Sequence, residues 1–560
     1  MHKRALASIL CIIFMISGLL FGCTSNPTTA SSTTASSTTA GSGETTTQES
    51  TGSLQITWDD SDISWKKKTE PVTLTLFIDY TWWPMDTWGK DEVSKAITEK
   101  TGVNVDVTKA TTGDGGELQV MLAGGSLPDM VYFARADMDG LFQNPDVSYA
   151  YDDLIMQYCP ELMNLIDPIQ LYLNKASDGK IYSIKSHYFS DADWADPRNV
   201  AGPGSGGFHY RQDIYEAIGS PDMSSIEGIE SAFAKVKENY PDMIAYLPMW
   251  RTFNIFYGAT SGLVKVDDKI TLGVTQPEYL DYAKFMNRQI ANGFLPKEGL
   301  TYTYEQFLQA LRSGKVFSAS YNTLLSDEEN NFIEANDMTG KWVPYLQVPT
   351  VNGEKKAKTL YQSIGWSSLY ISKTCKDPER AILFYEYLKS PEGDRTAQFG
   401  VEGEHWNART DGYIDRTEKF LTLSVSEAGV GPGYGLWCFG ASGLNESILN
   451  SSVALSNPKF NSALDLQKVI LTYVDRDPLM YFAVPKGGTD TYDKYGKMNQ
   501  LITDSETNIL LAANEADAVK AYEDMITKLN DLGLPEIERY MTDEYNKAAT
   551  GYEAFIASMG

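Results

Sequence analysis

Residues 72–78 read VTLTLFI and directly follow a proline, and this stretch decides the fold class. Apolar side chains alternate along it, and Phe77 adds an apolar group on the opposite face. Alternation of this kind, in a short apolar run, predicts a buried β-strand.

The chain on the C-terminal side of this strand alternates between helix and strand patterns. We predict helices over 91–100 and 117–123 and strands over 103–107 and 130–133. Strands that alternate with helices favour parallel pairing and an α/β sheet. Ligands of such sheets bind at the carboxyl ends of the strands. The loop that leaves the first strand, 79–89, carries Trp82, Trp83 and Trp88.

A later helix is marked by its first residues. Asp377 is placed to cap it, Pro378 suits its first turn, and an apolar stripe is predicted at Ala381, Phe384, Tyr385 and Leu388. The pattern from about residue 411 to the end is mostly helical.

The N-terminus has the pattern of an export signal. Lys3 and Arg4 precede a short apolar run that ends at Gly22-Cys23, which resembles a bacterial lipobox. We expect residues 1–22 to be a signal peptide and Cys23 to carry lipid, which would hold the folded chain on the outer face of the cell membrane. An ordinary secretory signal or an uncleaved anchor helix are the alternatives.

The segment after Cys23 is expected to be a tether. Residues 23–53 are mostly Ser, Thr, Gly, Ala and Gln, with few large apolar side chains. Such a segment buries too little surface to offset the entropy of ordering it. We therefore predict a flexible spacer between the membrane and the fold.

Composition limits the classes of function. About 500 residues follow the tether, which suits two or more lobes. The net charge of −27 argues against nucleic acid and against a broad electrostatic grip on anionic lipid, although a locally basic pocket stays open. The aromatic fraction of 12% is high for a globular protein.

Signals for catalysis or metal binding are weak. Cys159, Cys375 and Cys438 are widely spaced and form no CxxC pair, so we expect buried apolar thiols. The four histidines show no metal-ligand spacing, and no phosphate-binding loop or nucleophile elbow is present. We expect no cofactor, no metal and no catalytic residue.

Several segments together resemble the extracellular solute-binding proteins of ABC importers, family 1, in its lipoprotein and oligosaccharide-binding branch. The segments are AGGSLPDMV at 123–131, SDGKIY at 177–182, HYRQDIY at 209–215, SGKVF at 313–317, DPER at 377–380 and FGVEGEH at 399–405. Ala123 stands where that family usually has Ser, and Ile214 where it has Trp. Each motif alone is weak, but their order behind a lipobox is specific.

The resemblance implies an α/β, two-lobe, periplasmic-binding-protein-like fold of type II with a ligand cleft between the lobes. Lobe one would comprise 71–187 and 355–412, and lobe two 188–354 and 413–560. Lobe closure would trap ligand, and ABC permease subunits in the membrane would recognise the closed form. The protein is expected to be a monomer.

A sugar site needs flat aromatic platforms together with hydrogen-bonding side chains. Loop aromatics near Gly or Pro, and two residues at positions similar to cleft residues of the family, are therefore candidate ligand contacts: Trp82, Trp83, Trp250, Arg251, Tyr321, Trp366 and Trp437. For any single Trp, packing in a core or on the surface of a lobe is the alternative. Asp129 follows Pro128 and is expected to cap local backbone.

Some branch members carry a calcium loop in lobe two. The comparable stretch here, 237–242, lacks alternating acids, and Asp191, Asp193 and Asp196 lack the glycine and terminal glutamate of such a loop. We therefore predict no calcium. The leading function is a lipid-anchored oligosaccharide receptor, and the alternatives are a secreted carbohydrate-active enzyme, with two carboxylates that no motif selects, or a receptor for a peptide or another non-sugar solute.

Overall fold

The computed structural model describes residues 63–81, 87–134, 136–185, 188–196, 206–250, 252–361, 364–365, 367–410, 414–422 and 461–559. Its strands are β1 Val72–Ile78, β2 Val103–Lys109, β3 Met130–Phe133, β4 Gly207–Arg211, β5 Ile244–Pro248, β6 Leu263–Val266, β7 Lys269–Leu272, β8 Val316–Tyr321, β9 Trp342–Pro344, β10 Thr359–Tyr361, β11 Ser368–Ile371, β12 Trp406–Ala408, β13 Ile414–Arg416 and β14 Val474–Arg476.

The helices surround these strands. They are α1 Glu92–Thr101, α2 Gly116–Ala123, α3 Ala136–Phe142, α4 Tyr151–Tyr158, α5 Pro168–Leu173, α6 Asp191–Ala195, α7 Gln212–Ala217, α8 Ile226–Asn239, α9 Phe253–Tyr257, α10 Pro277–Ala291, α11 Tyr304–Arg312, α12 Leu325–Ala335, α13 Pro378–Lys389, α14 Pro391–Phe399, α15 Glu418–Thr422, α16 Asn461–Ile470, α17 Met480–Ala483, α18 Asp490–Leu510, α19 Glu515–Asp531 and α20 Leu534–Met559. Within the described ranges, none of them has both the length and the apolar content needed to span a membrane.

The first sheet, here called sheet A, has the strand order β11-β3-β1-β2. β1 pairs in parallel with both β2 and β3, as the sequence predicts, and β11 adds an antiparallel edge. Leu74, Leu76 and Ile78 enter one core cluster, while Phe77 enters the cluster on the other side. The alternation at 72–76 therefore reflects burial of one face, with Thr73 and Thr75 exposed on the other, and the second face is buried only from Phe77 onward.

The second sheet, here called sheet B, has the order β5-β8-β4-β9. β5 and β8 run parallel, and β4 is antiparallel to both β8 and β9. Every residue of β8 is buried. The core around sheet B also takes in side chains of α17, α18, α19 and α20, so the C-terminal helices pack with this sheet.

Helix α13 differs from the single apolar stripe that the sequence predicts. Asp377 caps it as expected, with its carboxylate accepting from the backbone N–H of Arg380 at 3.1 Å. All residues from Arg380 to Lys389 are buried, however, because other elements cover the helix on every side. Neighbours that are distant in sequence supply this cover, so periodicity alone does not reveal it.

The fold begins before residue 71, where the predicted first lobe starts. Ile63 and Trp65 belong to the core of sheet A, and the Trp65 ring meets Tyr387 edge-on at 4.9 Å. The carboxylate of Glu386 accepts from the backbone N–H of Trp65 at 2.8 Å. A short 3₁₀ turn, Ser64–Lys67, is therefore clamped onto α13.

The strands of sheets A and B fall within the ranges expected for lobes one and two, and the lobe boundaries themselves stay a prediction. Residues 414–422, which were expected in lobe two, contact α1 beside sheet A. Lys419 Nζ lies 2.9 Å from a carboxylate oxygen of Glu92, and His405 Nε2 lies at the same distance from it. The Lys419–Glu92 pair therefore joins this segment to α1.

Two cysteines lie in the described part of the chain, and both are buried without a disulfide partner, as expected. Burial raises the pKa of the Cys159 thiol well above its usual range and that of Cys375 to about 12. Thiols of this kind are inert at neutral pH. Cys438 lies outside the described residues.

Candidate functional site

One edge of the candidate site is the carboxyl end of sheet A. After β1 the chain continues through Asp79, Tyr80 and Thr81, and the Asp79 side chain is only 1% exposed. The Asp79 backbone N–H donates to the carbonyl of Tyr132 at 3.0 Å, which ties this edge to β3. The tilted rings of Tyr80 and Tyr132 lie 5.9 Å apart. An aromatic and acidic edge is thus fixed where ligands of such sheets bind.

The other edge is the carboxyl end of β5 and β8 in sheet B. Trp250 and Tyr321, two of the predicted site residues, meet there with their ring centroids 5.0 Å apart at 60°. The backbone N–H of Trp250 donates to Ser320 at 3.0 Å and fixes the start of this loop on β8. The Trp250 ring is only partly buried, so part of its surface stays open.

Tyr321 supports Trp250 from behind. It is only 1% exposed and packs against Tyr304 at 5.6 Å and Phe307 at 5.7 Å. Because so little of it reaches solvent, any role of Tyr321 in binding acts through Trp250. Edge-to-face contacts of this kind restrict ring motion, so the Trp250 ring is held in one orientation.

Both edges lie where the described parts of the connections between the sheets start or end. β11 begins beside the end of β3, with Ser368 opposite Phe133. β4 begins beside the end of β8, with Gly207 opposite Tyr321. A Cβ on Gly207 would lie 2.6 Å from the His209 ring, so only glycine fits there.

The connections also pair with each other. Tyr188 lies in the first connection, between β3 and β4, and Ile364 lies in the second connection, just before β11. The two residues form an antiparallel bridge. β10, in the second connection, pairs in parallel with β14. We call this paired region the hinge, because any relative motion of the two lobes would have to bend the chain within these connections.

An aromatic cluster that the sequence analysis missed lies at this hinge. Trp194 stands 5.9 Å from Phe189 and 5.4 Å from Tyr361, and the Arg476 guanidinium lies 5.4 Å from its ring centroid. Arg476 also bonds to Asp191 at 2.7 Å. The contributing residues are far apart in sequence, and the only local signal is the Trp among the three aspartates.

Two of those aspartates have structural partners. Asp193 forms a capping box with Ser190 at the start of α6, and Asp191 pairs with Arg476. Across the described ranges, no group of three or more His, Cys, Asp or Glu side chains is placed to hold a metal ion.

Asp129 does not cap local backbone as expected. Its carboxylate accepts from the backbone N–H of Thr75 at 2.8 Å and from the Thr75 hydroxyl at 2.7 Å, on the neighbouring strand β1. The turn brings the carboxylate beside the adjacent strand, a contact that only sheet pairing creates.

Carboxyl groups behind the sheet B edge are poorly solvated. Desolvation, followed by the nearby Glu329, raises the pKa of Glu328 to about 8. Desolvation also raises the pKa of Asp327 to about 6, although Asp327 accepts from the Ala463 backbone N–H at 3.0 Å. At neutral pH this region therefore carries less negative charge than its composition suggests.

A separate groove of about 980 Å³ runs beside the hinge strands. It is lined by the β6–β7 hairpin, by residues near β10 and by residues 475–477. Its charges are mixed, with Lys358 paired to Asp475 at 2.7 Å. None of the residues that form the two cleft edges lines it, so we do not place the ligand there.

The remaining predicted site residues lie outside the described residues: Trp82, Trp83, Arg251, Trp366 and Trp437. In the chain, the first two follow Thr81, Arg251 follows Trp250, and Trp366 precedes Ser367. Cys23 also lies outside. The contacts of all six stay predictions.

Comparison with known proteins gives a consistent result. A family model described as bacterial extracellular solute-binding protein matches residues 92–403. The search of curated proteins found no match.

Solved structures show the same fold. The alginate-binding protein AlgQ2, solved without calcium ion, aligns with a TM-score of 0.67 at 15% identity, over 85% of this chain and 98% of its own. The Streptococcus pneumoniae binding protein FusA, in complex with kestose, aligns at 0.64 and 15% identity, over 86% and 100%. The Streptococcus pneumoniae N-glycan transport protein NgtS, in complex with Man1GlcNAc, aligns at 0.52 and 16%, over 85% and 99%. The expected two-lobe α/β fold class is confirmed.

Proposed function

This chain belongs to the bacterial extracellular solute-binding proteins, and we propose that it binds an oligosaccharide in the cleft between its two lobes. The observation that carries this proposal is the Trp250 ring, which is partly open at the cleft edge and held from behind by Tyr321. A flat ring that is already fixed matches the apolar C–H face of a sugar and loses little entropy on binding.

The remaining contacts would come from both edges of the cleft. We propose Trp82, Trp83 and Trp366 on the sheet A side, and Arg251 and Trp437 with Trp250 on the sheet B side. Solved structures with this fold include an alginate-binding protein and proteins in complex with kestose and with Man1GlcNAc, which supports a sugar as the ligand class. The ligand itself is to be identified by experiment.

The cellular role follows from the family and the N-terminus. Lipid on Cys23 would hold the protein at the extracellular face of the membrane. The spacer that ends near residue 53 would let the folded part move away from the membrane surface. The closed, loaded form would be recognised by ABC permease subunits, which import the sugar. We propose binding without catalytic turnover.

The test is a thermal-shift and calorimetry panel on the mature protein. The probes are kestose, alginate trisaccharide, a mannosyl-N-acetylglucosamine disaccharide, a human milk tetrasaccharide and a peptide mixture. A ligand that binds only the folded form raises the melting temperature, by mass action. We expect one sugar class to raise it and to leave no new reducing ends after long incubation.

Other outcomes would refute the proposal. A shift only with peptides would replace the sugar by a peptide ligand. New reducing ends that disappear when a single carboxylate is changed to its amide would make the protein an enzyme.

A further inference from the structure

One carboxylate gathers three bonds beside the hinge. Asp139 lies on α3, which follows β3, and the residue is 4% exposed. It accepts from Lys185 Nζ at 2.6 Å, from the Tyr370 hydroxyl at 2.8 Å and from the Tyr481 hydroxyl at 3.0 Å. A buried carboxylate with three donors is held in one geometry.

The three donors come from different parts of the hinge region. Lys185 directly precedes the first connection between the sheets, and Tyr370 lies on β11, directly after the second. Tyr481 lies on α17, and two other residues of this helix, Met480 and Ala483, belong to the core around sheet B. The bond from Tyr481 therefore joins the second lobe to the first, whereas the other two bonds lie on the first-lobe side.

Close packing surrounds this bond. A Cβ on Gly140, next to Asp139, would lie 3.1 Å from the carbonyl oxygen of Gly487 and 3.6 Å from its Cα. The Lys185 ammonium also lies 5.2 Å from the Tyr481 ring centroid. The two lobes thus touch here through both backbone and side chains.

The two tyrosine hydroxyls of this cluster are protonated at neutral pH. Burial, followed by the Asp139 carboxylate, raises the pKa of both Tyr370 and Tyr481 well above the usual range. Both hydroxyls therefore stay protonated and donate. The Asp139 carboxylate and the Lys185 ammonium offset each other's charge where both side chains are buried.

We propose that Asp139 is a positioning residue that sets the resting angle between the two lobes through its bond with Tyr481. This inference rests on the two-lobe binding function proposed above. α3 starts where β3 ends at the cleft edge, so the same short helix links the ligand side to the junction. A fixed resting angle shortens the conformational search for closure and so favours binding.

The test measures the distance between the lobes without any ligand. Spin labels are placed on exposed positions of the two lobes, through Glu99→Cys and Glu334→Cys. The parent is a full-length chain in which the cysteines outside the described residues are replaced, by Cys11→Ser, Cys23→Ser and Cys438→Ser. Pulsed electron paramagnetic resonance then gives the distance distribution. We expect Tyr481→Phe to lengthen and broaden it relative to the parent, because this change removes only the bond between the lobes.

Tyr370→Phe is the matched control, since it removes a hydroxyl from the same carboxylate but within the first lobe. We expect it to lower the melting temperature and to leave the distance distribution unchanged. Asp139→Asn combined with Lys185→Met removes both buried charges without leaving one unpaired, and should broaden the distribution at least as much as Tyr481→Phe.

Two results would overturn the proposal. One is an unchanged distribution in Tyr481→Phe, and the other is an equal change in Tyr370→Phe. Because the measurement needs no sugar, it is independent of the ligand panel. If no probe in that panel raised the melting temperature, the proposed function would be refuted, and the result on the lobe distance would be unaffected.

Discussion

Replacing Trp250 by Ala should separate binding from folding. The ring is partly open, and the packing visible around it is the edge-to-face pair with Tyr321, which is worth about 0.5–1.5 kcal/mol. A stacked sugar face contributes on the order of 1–3 kcal/mol, so the dissociation constant should rise roughly 5- to 150-fold. The assay combines calorimetry, with the sugar that raises the melting temperature in the panel, and urea unfolding of the same preparation.

Trp88→Ala is the control with the same change of side chain. Trp88 is 6% exposed, donates to the Thr98 hydroxyl at 2.7 Å and packs on Phe384 in the core of sheet A. Its loss should lower the free energy of unfolding by about 3–5 kcal/mol and leave affinity unchanged in the fraction that folds. If Trp250→Ala loses as much stability as Trp88→Ala, or binds the sugar normally, Trp250 is a packing residue and the site is misplaced.

Three further outcomes are expected. Cys23→Ser should move the protein from the membrane fraction to the medium, and retention on the membrane would exclude the lipid anchor. Trp65→Ala should lower the free energy of unfolding by about 3–5 kcal/mol in urea titrations, because the ring lies in the core of sheet A. A loss under about 1 kcal/mol would mean that the N-terminal turn is not part of the fold. Burial, and after it the nearby Glu161, raises the pKa of Glu386 to about 8. Between about pH 4.5 and 8 the folded state therefore binds one more proton than the unfolded state. The free energy of unfolding should fall as pH rises through that window, by at most about 5 kcal/mol. Glu386→Gln should flatten this pH dependence, and an unchanged slope would assign it to other groups.

Much of sheet A follows from local sequence. The period-two run at 72–78 and the cap at Asp377 are written in consecutive residues, and both are confirmed. Helix α1 begins at Glu92, one residue after the predicted start, because the Asp91 carboxylate accepts from the Ser94 N–H at 2.7 Å and is the cap itself. Boundaries shift by a residue because a cap is only half inside its helix.

The candidate site is less accessible to sequence reasoning. Loop aromatics could be chosen, but the pairing of Trp250 with Tyr321 depends on β5 and β8 being parallel neighbours in sheet B. Trp250 keeps part of its ring exposed to solvent whereas Tyr321 is buried, and nothing in the sequence around either residue predicts this difference. The hinge cluster around Trp194 was missed for the same reason, since its partners lie in other connections.

The sequence by itself determined the secondary structure around sheet A and the family to which the chain belongs, because periodicity, caps and short motifs are properties of neighbouring residues. Tertiary structure alone decided the bonds at the hinge. The partners of Asp139 lie 46, 231 and 342 residues away along the chain. No local pattern specifies contacts of that separation, because their free energy arises only when packing removes water and brings the donors to one carboxylate.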